Sequence, residues 1–270
     1  QPKFVSYDMG PTGKMLKPFG ELDFEDAVSI FAQQAILAEK YGADLISIET
    51  MTDSYETKAA LLAVKENTFL PVFVTNAYNE DERLLTGSEP EAMVSLLEGL
   101  GADAVGLNCS YGPDKLIPVI KRIIECSSVP VIFKPNAGIP RVENKKTVYD
   151  IEPDEFAEGI NRAIDFGANI VGGCCGSTPA YIQKLKDLTA QKQFKSIIPK
   201  NKTVVCSFSH SVEFNEKTVI IGERLNPTGK KAVKQALKDG NVDYLIKEAT
   251  EQKKAGAHIR RNYRSSLCYD

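Results

Sequence analysis

Three of the six cysteines in this 270-residue chain fall where strands are expected to end. Cys109 follows the apolar run Ala104–Asn108, and the adjacent pair Cys174 and Cys175 follows Ile170–Val171 and two glycines. Adjacent cysteines seldom bond to each other, because a disulfide needs well-separated Cα atoms. They can both reach one metal ion. Three thiolates around zinc leave a fourth position open, which is the arrangement of a catalytic rather than a structural site. The competing reading is that buried cysteines act as small hydrophobes. With only two histidines in the chain, any metal site must draw on Cys, Asp, Glu or Asn. Cys126, Cys206 and Cys268 lie away from these strand ends and read as ordinary thiols.

Other reactive side chains share that placement. Glu49 closes an apolar strand, where an unpaired carboxylate would cost several kcal/mol. It therefore needs a cation, either a substrate ammonium or a structural Lys or Arg. Asp8 is a similar, weaker case. Asn136, in Lys134-Pro-Asn-Ala-Gly138, can line the pocket or weakly ligate a metal, or it can cap its own loop. Gly10-Pro-Thr-Gly-Lys14 and Gly229-Lys230 are too short for a phosphate loop and lack the following Ser or Thr.

The elements that must carry these residues alternate strictly. Strands are expected at 4–8, 45–49, 71–76, 104–108, 129–133 and 170–171. Between and after them come helices over 23–41, 55–66, 89–100, 113–126, 153–166 and 179–190. Ser177 or Thr178 is placed to cap the last of these, with Pro179 in its first turn. The stretch 136–152 reads as a long loop. Strict β/α alternation implies a parallel sheet. The repeat of about 32 residues is close to the unit of an eight-fold β/α (TIM) barrel. A doubly wound sheet fits the pattern too. The barrel is favoured because it gathers Asp8, Glu49, Asn76, Asn108, Cys109, Lys134, Asn136, Cys174 and Cys175 around one pocket. Only six units are present, so the first two β/α units are expected to precede Gln1.

The barrel is thus assigned to residues 1–190. Residues 191–216 read as a Lys-rich linker with one extended segment, 203–208. Residues 217–270 read as the opening of a second domain. It has a strand at 218–222, helices from Gly229 and from Asn241 or Asp243, and a further strand expected after Ala257. The tail from Arg260 has no helix or strand pattern. Hydrophobic content of 43% and charged content of 26% are those of an ordinary globular protein. A net charge of −3 gives no reason to expect a nucleic-acid or anionic-membrane partner. No apolar run is long enough to span a bilayer, no secretory signal opens the chain, and the scattered cysteines suit a reducing cytoplasm.

Val105-Gly-Leu-Asn-Cys109, Phe133-Lys-Pro-Asn-Ala-Gly138 and Gly172-Gly-Cys-Cys-Gly-Ser-Thr-Pro179 together resemble the homocysteine S-methyltransferase family. Asp8-Met-Gly-Pro-Thr-Gly-Lys14, Ile48-Glu-Thr50 and Thr147-Val-Tyr-Asp150 resemble most its cobalamin-dependent methionine synthase branch. Ile221-Gly-Glu-Arg-Leu-Asn-Pro-Thr-Gly229 is similar to the start of the pterin-binding domain that follows there.

The resemblance implies a (β/α)8 barrel that binds zinc through Cys109, Cys174 and Cys175. It assigns the homocysteine ammonium to Glu49, with Asp8 and Asn136 near substrate and metal. It places Glu223 and Asn226 near the pterin of an incomplete second barrel. Methylcobalamin and methyltetrahydrofolate would act through the complete enzyme, since no cobalamin-binding module is present. The expected activity is methyl transfer to homocysteine, far below the rate of a complete enzyme. A homocysteine methyltransferase with another donor and a non-catalytic zinc-thiolate fragment are the alternatives.

Overall fold

The computed structural model describes residues 3–143, 145–190, 192–193 and 195–260. The expectations for Cys268 and for the tail beyond Arg260 lie outside the described residues. The chain divides into two compact units. One comprises residues 1–201 with 206–211, the other 202–205 with 212–270.

In the first unit, strand and helix alternate as β1 (Ser6–Met9), α1 (Phe24–Lys40), β2 (Leu45–Met51), α2 (Ser54–Asn67), β3 (Val72–Asn76) and α3 (Pro90–Gly99). Then come β4 (Ala104–Cys109), α4 (Pro113–Cys126), β5 (Val131–Pro135), the short pair β6 (Arg141–Glu143) and β7 (Lys146–Val148), α5 (Pro153–Phe166), β8 (Ile170–Val171) and α6 (Pro179–Thr189). Six strands form one sheet in the order β1-β2-β3-β4-β5-β8, every neighbouring pair parallel. All six C-terminal ends therefore lie on one edge.

The sequence explains these layers. Strand β4 is apolar on both faces, and Ala104 to Asn108 are all buried, as in a parallel sheet covered on both sides. Helix α1 buries Ala27, Phe31, Ala35 and Ala38, one face at helical spacing. Helix α4 does the same with Leu116, Val119, Ile120 and Ile123. Met9, Ile46, Ile48, Phe133 and Phe156 fill the core between the layers. Each such large side chain contributes about 1.5–3 kcal/mol through removal from water.

Three local expectations are corrected. Strand β5 starts at Val131, not Val129. The 136–152 loop carries the antiparallel hairpin β6–β7. The 191–216 stretch holds two strands, β9 (Thr203–Cys206) and β10 (Ser211–Phe214), which pair with each other. The tip between them belongs to the first unit. The Phe208 carbonyl accepts hydrogen bonds from Ser54 and Ser88 at 3.2 and 2.6 Å, and its ring meets Tyr55 at 5.3 Å. A segment read as part of a linker therefore has specific partners at the starts of α2 and α3, distant in sequence.

In the second unit, β11 (Ile221–Gly222) pairs in parallel with β12 (Ile259–Arg260). Helices α7 (Lys231–Lys238) and α8 (Val242–Lys254) lie between them in sequence. The expected strand at 218–222 is shorter, and the strand after Ala257 is present. Asn241 caps α8 by accepting from the Tyr244 N–H at 3.1 Å.

Candidate metal centre

Strand ends β4 and β8 bring the three expected thiols together. The sulfurs of Cys109, Cys174 and Cys175 all lie within 4.8 Å of one another, and Cys109 and Cys175 are 3.8 Å apart. That separation excludes a disulfide, and these cysteines are free. Two sulfurs each about 2.3 Å from zinc at the tetrahedral angle stand about 3.8 Å apart, so the donor set fits the ion. Cys109 and Cys174 are half-buried and Cys175 is exposed, which leaves one side of the cluster open.

Local backbone chemistry builds the cluster. Cys109 and Ser110 both have left-handed backbone, φ 63° and 65°. Non-glycine residues rarely occupy this region, and it concentrates at functional sites. The segment after β5 is a template for the cysteine pair. The Cys174 N–H donates to the Pro135 carbonyl, and the Ala137 N–H donates to the Cys175 carbonyl, both at 2.9 Å. The buried Asn136 accepts from the Cys175 N–H at 3.0 Å through its side-chain oxygen. That oxygen, expected as a weak metal ligand or a local loop cap, instead holds Cys175 in place. Neither Ser177 nor Thr178 caps α6 through its side chain; the Ser177 hydroxyl donates to the Cys174 carbonyl at 2.6 Å.

The thiols do not behave alike. A hydrogen bond from Cys174 lowers the Cys109 thiol to about 7, against the opposing effect of burial. The same contact, together with burial, pushes Cys174 well up.

Two further residues stand at the centre: Asn108, expected only as one of the strand-end residues around the pocket, and Tyr149, from the Thr147–Asp150 segment. Asn108 is buried beside Cys174, its amide nitrogen 3.7 Å from that sulfur. Tyr149 lies against Gly176, where an added Cβ would stand 2.4 Å from its ring. Burial, then the neighbouring Cys175, raises the Tyr149 hydroxyl above its ordinary value. The run of glycines around Cys174–Cys175 was the available signal for a close-packed aromatic.

On the same edge, Glu49 is ion-paired with Lys134 of β5. Both are mostly buried, with side chains 20% and 22% exposed. The register between β2 and β3 shifts between Ile48 and Met51, and Thr50 has φ 60°. Such an irregularity re-aims a side chain at a strand end. Asp8 lies close enough to feel both charges. Desolvation raises its carboxyl, Glu49 raises it further, and Lys134 pulls it down. Thr12, in the rejected phosphate-loop segment, donates its N–H and hydroxyl to the buried Glu56 at 2.7 and 2.6 Å.

In the second unit, Glu223 accepts from Asn226 at 2.5 Å and pairs with Lys230 at 2.5 Å, all three just beyond β11.

The sequence model for homocysteine S-methyltransferases matches residues 1–189. The chain is 30% identical over 281 aligned residues to a protein of Mycobacterium leprae called methionine synthase, covering 99% of this chain. A methionine synthase of Mycobacterium tuberculosis is 31% identical over 276 residues. The chain spans 23% of the length of each. Among solved structures, the metallated homocysteine methyltransferase MmuM of Escherichia coli superposes with a TM-score of 0.57 at 21% identity. That match covers 68% of this chain and 61% of the other. Its apo form gives 0.55 at 22% identity over 68% and 62%. These two likenesses speak for the fold.

Proposed function

Because the chain belongs to the homocysteine S-methyltransferase family, we propose that Cys109, Cys174 and Cys175 hold zinc and that this centre takes up the sulfur of homocysteine. The carrying observation is the convergence of three free thiols within 4.8 Å at two strand ends. Zinc bound there supplies Lewis acidity that keeps a substrate thiol deprotonated at neutral pH, where a free thiol of pKa about 8.5 is mostly protonated.

The chain's own residues do the rest. Pro135 and Asn136 hold the two adjacent cysteines so that both sulfurs face one point. The open side beside Cys175 admits the substrate sulfur. The Glu49–Lys134 pair matches a zwitterion: the substrate ammonium takes the place of Lys134 on Glu49, and Lys134 turns to the substrate carboxylate. Asp8 adds negative charge on the ammonium side.

The finer reading is a homocysteine-activating part of a cobalamin-dependent methionine synthase. Methylcobalamin, presented by a separate module, is the methyl donor, and methyltetrahydrofolate recharges it. Glu223 and Asn226 belong to the pterin site of a second barrel whose opening is residues 217–270. The eight-fold barrel is completed by two further β/α units. Free thiols at the centre suit the cytoplasm; among the described residues no helix is long and apolar enough to cross a membrane.

The test uses the purified chain loaded with zinc, homocysteine, and methylcobalamin carrying an isotopic methyl. Labelled methionine is expected above the protein-free rate, and Cys109→Ser removes it. A zinc-loaded chain that binds homocysteine yet yields only the protein-free rate overturns the methyltransferase reading.

A further inference from the structure

Asn108 uses every hydrogen-bonding position it has. Its side-chain oxygen accepts from the Thr50 backbone N–H at 2.8 Å and the Thr75 hydroxyl at 2.7 Å. Its amide nitrogen donates to the Thr50 hydroxyl at 2.7 Å and faces the Cys174 sulfur at 3.7 Å. An asparagine offers two lone pairs and two N–H groups, so none is left over. The residue is 1% exposed, and nothing competes for these bonds from solvent.

The orientation of this amide is determined. The Thr50 backbone N–H can only donate, so the atom facing it is the oxygen. The nitrogen must then face Thr50 Oγ and Cys174. A rotated amide would set two donors against each other in a buried site. Thr50, with left-handed backbone (φ 60°), presents both its N–H and its hydroxyl to the same amide.

We propose that Asn108 is a positioning residue of the metal centre: its N–H donates a hydrogen bond to the metal-bound sulfur of Cys174. This rests on the zinc-centre reading above. Three unmodified thiolates bring three negative charges to a divalent cation, and a fourth thiolate from substrate adds another. An N–H aimed at one sulfur withdraws charge from it and leaves the ion better able to hold the incoming sulfur. Partners of this kind around metal ligands commonly change metal affinity by about 10–100-fold when removed. The same amide grips Thr50, the residue after Glu49. The substrate-ammonium side and the metal side therefore share one rigid group.

The first experiment uses the unmodified full chain, loaded with 113Cd and labelled with 15N-asparagine. One Asn108 side-chain proton is expected to show scalar coupling to cadmium through the hydrogen bond. The second uses cobalt(II). Asn108→Asp keeps oxygen acceptors but has no N–H, so its sulfur-to-cobalt charge-transfer band moves to lower energy and zinc binds about 10–100-fold more weakly. Thr75→Val removes a bond to Asn108 without touching the N–H, and its band stays put. One cadmium per chain with no coupling to any asparagine side chain overturns the inference while leaving the metal centre intact. Failure to bind cadmium stoichiometrically overturns the metal-centre reading and this inference with it. Should the aspartate variant not fold, the coupling in the unmodified chain decides alone.

Discussion

Lys134 is ion-paired with Glu49 although two strands, β3 and β4, lie between their own strands in the sheet. In a flat sheet, three strand spacings separate such ends by about 14 Å. The sheet must curl so that β2 and β5 face each other across its concave side. The bond from the Thr50 N–H in β2 to the Asn108 side chain in β4, across β3, reports the same curvature. A curled parallel sheet with chemistry on its C-terminal edge is the geometry of a barrel wall.

Removing that carboxylate's charge isolates its role. Glu49→Gln is expected to weaken homocysteine binding by about 1.5–3 kcal/mol, the loss of a charged hydrogen bond. Zinc content should not change. Lys134→Met should weaken binding too, through the substrate carboxylate. Calorimetric titration of the zinc-loaded protein checks both, and unchanged affinity in the glutamine variant would assign Glu49 to structure alone.

Metal content tests the thiol cluster directly. Protein purified without added zinc should carry about one ion per chain, a chelator should remove it, and the Cys174→Ala, Cys175→Ala double variant should carry none. Retention of a full equivalent by the double variant, measured by elemental analysis, would refute the assignment.

Gly176 has φ 82°, and an added Cβ would press on the Tyr149 ring. Gly176→Ala should therefore destabilise the fold by about 1–3 kcal/mol, through left-handed strain and the displaced ring. Denaturant unfolding measures it. A change below about 0.5 kcal/mol, the range of an ordinary surface substitution, would mean that neither strain nor contact operates.

The docked tip of the β9–β10 hairpin should respond to acid. His210 and Arg83 both pair with Glu89, at 2.9 and 2.5 Å, and the Glu89 N–H donates to the Ser209 carbonyl. Burial acts to raise the Glu89 carboxyl, but the bonds from His210 and Arg83 outweigh it and hold it below 4.5. A carboxyl lowered by folding contributes stability that is present above its unfolded value and lost as pH falls through the folded one. The tip should thus stay docked at neutral pH and loosen below pH about 4.5. Carboxyl NMR titration of His210→Ala should find Glu89 shifted up toward its ordinary value; an unmoved midpoint would show that His210 does not hold it.

The strict β/α alternation and the strand-end position of Cys109 and Cys174–Cys175 were legible in the sequence. Each is a local property, carried by apolar periodicity, helix-starting prolines and glycines after strands. Which side chains face one another was not legible. Glu49 needed a cation, and periodicity left substrate and lysine equally open; the curl of the sheet brought Lys134 to it from 85 residues away. Asn136 looked like a ligand or a loop cap until the fold set its oxygen against the Cys175 N–H, 39 residues on. Asn108 reaches Thr50 and Cys174 over 58 and 66 residues. The hairpin tip in the supposed linker was missed because its partners sit at the starts of α2 and α3. Sequence period identifies an element and its buried face, but contacts across a curved sheet depend on register, twist and closure, which only the assembled tertiary structure sets.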